Sequence, residues 1–184
     1  PEIRLDISID DGFADIVARG FDAGIRIGEM LEREMIGVRV SGDLRMAIVG
    51  SPAYFAKHGK PRRPRDLQAH DCINYRRRTL GVVARWELTV DGRDVEIAVD
   101  GRLLIDDGAL MISAALDGLG LAYVFDCTVR EHLAKKRLVR VLEAYCPPFP
   151  GFFLYYPSRS RSTPALRDFV DVAKEVLAPQ RARR

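Results

Sequence analysis

Two segments constrain this chain more than any others: Gly20–Gly28 (GFDAGIRIG) and Leu44–Phe55 (LRMAIVGSPAYF). Each runs a short apolar stretch into glycine and polar residues, as a strand does when it ends in a turn. In open α/β folds, ligands bind at the edge where such strand ends gather. Both segments are therefore expected to deliver loop atoms to one edge of a sheet.

The surrounding patterns extend that picture. Ile3, Leu5, Ile7 and Ile9 alternate with Arg4, Asp6, Ser8 and Asp10, the period-two pattern of a strand with one buried face. Asp11-Gly12 breaks it, and Phe13, Ile16 and Val17 follow at helical spacing up to a stop at Gly20. With a strand over residues 23–27, this reads as a βαβ unit and hence a parallel sheet. Further strands are expected over 35–40 and 46–49, the latter ending at Ser51-Pro52, an N-cap with proline at the first helical position. That helix should stop at Gly59, ahead of a proline- and arginine-rich surface loop over 60–65.

Strands are expected next at 72–75, 86–90 and 95–99, with Asp91-Gly92 as a hairpin turn. Another covers 103–105, after which Asp107 caps a helix that Gly118 ends. A strand over 121–125, a short helix over 129–135 and a strand over 138–142 follow. The run Tyr145–Gly151 (YCPPFPG) reads as a crossover between lobes. After a strand over 152–156, Thr163-Pro164 opens a final helix with Leu166, Phe169, Val170, Ala173 and Leu177 on one face.

A chain of 184 residues can hold one domain or two small lobes with a real core. The net charge of +3, inflated by Arg181, Arg183 and Arg184, is too small to argue for a nucleic-acid surface. Cys72, Cys127 and Cys146 are odd in number and far apart, which fits reduced thiols in the cytoplasm. No apolar run reaches the ~20 residues that span a bilayer, and no signal peptide is visible.

No catalytic constellation emerges. Ser51 lies in Gly-Ser-Pro and is explained by helix capping. His58, His70 and His132 are scattered without metal-ligand spacing and are expected to be exposed. Gly118-Leu119-Gly120 sits at a helix exit, where it makes no dinucleotide fingerprint. Arg76-Arg77-Arg78 reads as a solvated turn. Arg26 differs, because a guanidinium in an otherwise apolar strand ending at Gly28 suits a carboxylate ligand. A salt bridge to Glu29 or Asp22 would explain it equally well. No catalytic residue, metal or cofactor is expected, and the chain reads as a ligand sensor.

The matching pieces, in order, are 15–29 (DIVARGFDAGIRIGE), 45–54 (RMAIVGSPAY), Asp66-Leu67, His70-Asp71-Cys72, Trp86 and Gly101-Arg102-Leu103. Asp107-Gly108, 115–120 (ALDGLG) and 154–159 (LYYPSR) complete them. In this order they make the chain resemble the effector-binding (substrate-binding) domain of LysR-type transcriptional regulators. The resemblance implies an α/β fold of two Rossmann-like lobes joined by crossover strands, like the type II periplasmic-binding proteins. Lobe I would hold 1–44 and 151–184, and lobe II 45–150. The family's first strand and helix of lobe I, and its DNA-binding winged helix-turn-helix, are expected to lie outside this chain, and DNA is expected to be a partner only through that helix-turn-helix.

It further implies a small effector in the interlobe cleft. The binding residues would be Asp10, Gly12, Phe13, Arg26, Ile27, Gly28, Asp107, Gly108, Ala109, Tyr123 and Phe125. A helix N-terminus after Asp107 makes an organic anion the default ligand. A homodimer or homotetramer is expected, with 3–9 at the dimer seam, and no membrane partner. The rival reading is a periplasmic-type solute-binding protein of a transporter, which would need a secretion signal.

Overall fold

The computed structural model describes residues 3–9, 16–28, 35–77, 80–158 and 164–177. In chain order the first elements are β1 (Gly24–Ile27), β2 (Met35–Arg39), β3 (Met46–Gly50) and α1 (Pro52–His58). A 3-10 helix (Pro64–Ala69) leads to β4 (Cys72–Tyr75), β5 (Trp86–Val90) and β6 (Arg93–Ile97). There follow β7 (Leu104–Ile105), α2 (Gly108–Leu116), β8 (Leu121–Phe125) and α3 (Asp126–Ala134). Then come β9 (Val139–Val141), a 3-10 turn (Glu143–Tyr145), β10 (Phe152–Pro157) and α4 (Pro164–Leu177).

The chain divides into two compact units, one of Pro1–Leu44 with Phe149–Arg184 and the other of Arg45–Pro148. At the junction Leu44 and Phe149 form an isolated antiparallel bridge, each N–H donating to the other's carbonyl at 2.9 Å.

In the first unit a three-stranded sheet runs β1-β10-β2, antiparallel throughout. Leu154 and Tyr156 turn one face of β10 toward α4, where Leu166, Val170 and Ala173 meet them in a buried cluster with Val40. Those helical residues recur every three or four positions, so they lie on a single stripe. Phe153 and Tyr155 occupy the opposite face by strand alternation.

The second unit holds a five-stranded mixed sheet ordered β7-β4-β8-β3-β9. β4 runs parallel to β7 and β8, whereas β3 is antiparallel to β8 and β9. The central strands are buried on both faces, which is why 46–49 reads as an unbroken apolar run. Ile48, Cys72 and Leu121 face a core shared with Tyr54 and Phe55 of α1 and with Trp86 and Leu88 of β5. Ala47, Val49, Ile73 and Ala122 face the other core, covered by Met111, Ala114 and Ala115 of α2 and Val129 of α3. β5 and β6 form a separate hairpin, and Asp91 (φ 51°) with Gly92 (φ 72°) makes a turn with two left-handed residues.

Four expectations need correction. Residues 3–9 form no strand: Ile3, Leu5, Ile7 and Ile9 are 44%, 57%, 79% and 98% exposed. Alternation writes two faces into a segment but supplies no neighbour to bond it, and no described residue pairs with this one. The βαβ reading fails with it. β1 is antiparallel to β10, residues 16–20 form a turn, and 10–15 lie outside the described residues. Second, β1 and β3 belong to different sheets, so the two opening segments do not share an edge. Third, His70 and His132 are half-buried, and His70 Nδ1 lies 3.2 Å from the Tyr54 hydroxyl. Burial, and then His58, lowers the His70 pKa. Finally, the boundaries shift: the hairpin's second strand starts at Arg93 because a two-residue turn fixes its register, and α3 begins at Asp126.

Candidate functional site

The carboxyl ends of parallel strands in the second unit carry the most developed candidate. β4 and β7 pair at Asn74 with Leu104 and Tyr75 with Ile105, and the Arg76 N–H donates to the Ile105 carbonyl at 2.8 Å. From this edge β7 feeds α2. Asp107 has extended backbone, and its carboxylate accepts from the Leu110 N–H at 2.8 Å, so it is the N-cap that the sequence predicts. Gly108 and Ala109 follow in the exposed first turn, where no helical carbonyl reaches the backbone N–H groups. A first turn of this kind favours an anion.

β8 ends beside this edge. Its pairing of Cys72 with Leu121 and Ile73 with Ala122 carries Phe125 one residue beyond Tyr75. Phe125 is half-buried and precedes the first turn of α3, and its carbonyl accepts from the Thr128 hydroxyl at 2.7 Å. Tyr123 is built into the core. Its ring stacks on Trp86 and its hydroxyl donates to the Glu87 carbonyl at 2.5 Å. Burial, then Cys146 and Glu87, raises the Tyr123 pKa.

Sequence reasoning missed the charge network that starts where β8 ends. Asp126 pairs with Arg140 and, at 3.3 Å, with Arg130. Glu143 accepts from Arg140 at 2.8 Å and from Arg45 at 3.0 Å, and the Asp126 N–H donates to the Arg45 carbonyl at 2.9 Å. These residues come from three separate stretches of chain; Asp126 with Arg130 and Arg140 with Glu143 are at local spacing, but nothing local announces that Arg45 and the two pairs meet.

In the first unit, Arg26 lies opposite Phe153 on the sheet face turned away from α4. Its guanidinium sits over the Tyr155 ring, 5.2 Å from the centroid. Gly24 makes this possible, since a Cβ there would meet the Tyr155 ring and hydroxyl at 2.5–2.7 Å. The sheet is antiparallel and so has no common carboxyl edge at which Arg26 could sit. Ile27 lies opposite Phe152, and Gly28 (φ 78°) donates its N–H to the Gly151 carbonyl at 3.2 Å. Asp10, Gly12 and Phe13 lie outside the described residues.

The structure thus groups Asp107, Gly108 and Ala109 in one turn, with Phe125 beside the same sheet edge, and joins Arg26, Ile27 and Gly28 in one strand end. Among the described residues no cluster of three or more His, Cys, Asp or Glu could hold a metal ion. No helix among them is long and apolar enough to cross a membrane.

Comparison with known proteins sharpens this. The family described as LysR substrate binding domain matches residues 1–178. The HTH-type transcriptional regulator PgrR of Escherichia coli is 41% identical over 174 residues, covering 95% of this chain and 58% of PgrR. The chain thus spans well under two-thirds of that relative. The structure of CrgA, a LysR-type transcriptional regulator from Neisseria meningitidis, is 26% identical with a TM-score of 0.78, over 97% of this chain and 60% of CrgA. AphB of Vibrio cholerae, 23% identical, shares the fold at a TM-score of 0.79 over 96% of this chain and 59% of AphB. The fold is that of these regulatory domains, α/β and like the type II periplasmic-binding proteins, and the matches do not favour a transporter's solute-binding protein. The chain belongs to the LysR substrate-binding domain family, whose named relatives here are transcriptional regulators.

Proposed function

We propose that this chain is the sensing part of a cytoplasmic LysR-type regulator that binds a small organic anion. The observation that carries the reading is the exposed first turn of α2, where Gly108 and Ala109 offer N–H groups at the carboxyl end of β4 and β7. Asp107 holds that turn in shape, and Phe125 supplies an apolar surface nearby. Within the first unit, Arg26, Ile27 and Gly28, together with Asp10, Gly12 and Phe13, are proposed separately as effector-binding residues. Tyr123 acts by supporting β8, since its hydroxyl is already engaged. Occupancy shifts a homodimer or homotetramer between two arrangements by the ligand's differential affinity for them. A DNA-binding winged helix-turn-helix outside this chain reads out that shift. The role is sensing, without catalysis.

A thermal-shift screen of organic acids tests the reading. A ligand at ~100 times its Kd adds ~2.7 kcal/mol, a shift of roughly 5–10 °C at this chain length. Ala109→Asp places a carboxylate where a helix tolerates one, so the unliganded melting temperature should hold while an anion's shift disappears. An acid whose shift survives that substitution would remove the first turn of α2 from the site.

A further inference from the structure

Residues 57–66 hold the densest charge among the described residues: Lys57, Lys60, Arg62, Arg63 and Arg65 against Asp66 alone. That is four net positive charges in ten residues, compared with +3 for the whole chain, so the rest sums to one negative charge. All five cations are exposed.

The stretch is also fixed in place. Pro61 and Pro64 are buried, Leu67 is fully buried, and the Asp66 carboxylate accepts from the N–H groups of both Arg62 and Arg63 at 2.9 Å. Lys60 lies over the Phe55 ring, its Nζ 5.8 Å from the centroid. With the prolines turned inward and the one carboxylate engaged by backbone and, at 4.0 Å, by the exposed Arg65, the basic side chains project outward as a platform.

We propose that this platform contacts the phosphate backbone of double-stranded DNA. Three of the five cations are arginines, whose planar fork matches phosphate. A protein partner would need apolar or aromatic anchors, and no large hydrophobic side chain between residues 28 and 79 is exposed among those described. The contact is independent of sequence and weak alone. It becomes effective once a linked DNA-binding module holds the duplex nearby, because the second contact is then intramolecular. The inference goes beyond sensing and does not depend on which ligand is bound.

The test is fluorescence anisotropy of the 184-residue chain with a short labelled duplex of arbitrary sequence. If four phosphates are neutralised, affinity should fall roughly 100-fold between about 50 and 200 mM salt. Arg62→Ala, Arg63→Ala and Arg65→Ala combined should flatten that dependence to a few-fold. These side chains are exposed, so melting of the variant should match the parent. A variant lacking the arginines at 181, 183 and 184 should bind as the parent does. The proposal is overturned if the 62/63/65 variant binds like the parent, if the tail variant loses binding, or if the parent fails to bind at low salt. It is overturned equally if polyglutamate competes as well as DNA, since the surface then fits an acidic protein.

Discussion

The ring of Tyr123 lies stacked on that of Trp86, centroids 5.3 Å apart and planes 19° from parallel. It couples the middle of the five-stranded sheet to a hairpin that shares no ladder with it. Trp86 is buried, and the Tyr123 hydroxyl fastens the same hairpin through the Glu87 carbonyl. Trp86→Ala should therefore cost about 3–5 kcal/mol. Tyr123→Phe keeps the stack and loses one hydrogen bond, about 1 kcal/mol or roughly 2–4 °C in melting temperature. Thermal melts followed by circular dichroism would measure both, and equal costs would refute this division of labour.

Two glycines should respond in opposite senses to alanine. A Cβ on Gly101 would run into the backbone N and carbonyl of Cys72, whereas one on Gly108 meets nothing within 4 Å. Gly101→Ala must displace β4 or its neighbour and should cost at least 1–3 kcal/mol, by the range seen for overpacking. Gly108→Ala should be neutral or stabilise by about 0.4–1 kcal/mol through the unfolded chain. Urea titration of the two variants side by side gives the comparison.

The cap of α1 admits a cleaner measurement. Ser51 is buried, and its hydroxyl accepts from the Tyr54 N–H at 3.1 Å. Ser51→Ala should remove about 1 kcal/mol, lowering the urea midpoint while leaving the slope unchanged. A changed slope would mean that more than the cap was lost.

Thiol chemistry should separate the cysteines. Burial pushes the Cys72 thiol from 9.0 to about 12 and the Cys146 thiol from 9.0 to about 11. Cys127 is exposed. Brief alkylation of the native chain near pH 8 should label Cys127 alone by mass spectrometry, with all three labelled after unfolding. Because burial raises the folded pKa of Cys72 and Cys146, their protonated forms favour folding below pH 9.0, and that contribution is lost as pH climbs through 11 and 12.

Asp66 has the opposite sign. Hydrogen bonds from the Arg62 and Arg63 N–H groups lower its pKa below 3.8. Its contribution to stability is present above 3.8 and disappears as pH falls through the depressed value. Asp66→Asn should be less stable than the parent at neutral pH, with the two melting curves converging in acid. A constant gap down to the lowest pH would show that packing, and not ionisation, is at stake.

What the sequence made legible is what short-range chemistry decides. Ser51-Pro52, Asp107 and Asp91-Gly92 act within three residues of themselves, and each does what its residue types dictate. Ile3–Ile9 shows the limit, since a strand depends on a partner that its own alternation does not name. Tyr123 is similar: its period-two position is readable, but its stack on Trp86 joins residues remote in sequence. Arg26 was placed by a rule for parallel sheets and sits in an antiparallel one, where Gly24 and Tyr155 decide its surroundings. The cluster of Asp126, Arg140, Glu143 and Arg45 exists only once three strands and a helix have assembled.

The bridge between Leu44 and Phe149 gives the second unit the topology of an inserted cassette. Its entry and exit are adjacent residues of one antiparallel pair. A short reverse turn joining those two positions would close the first unit without disturbing the β1-β10-β2 register. Conversely, Arg45–Pro148 can be exchanged whole for a counterpart with the same end-to-end spacing. The neck thus makes the second unit a separable insertion, open to replacement by recombination while α4 and its sheet stay as they are.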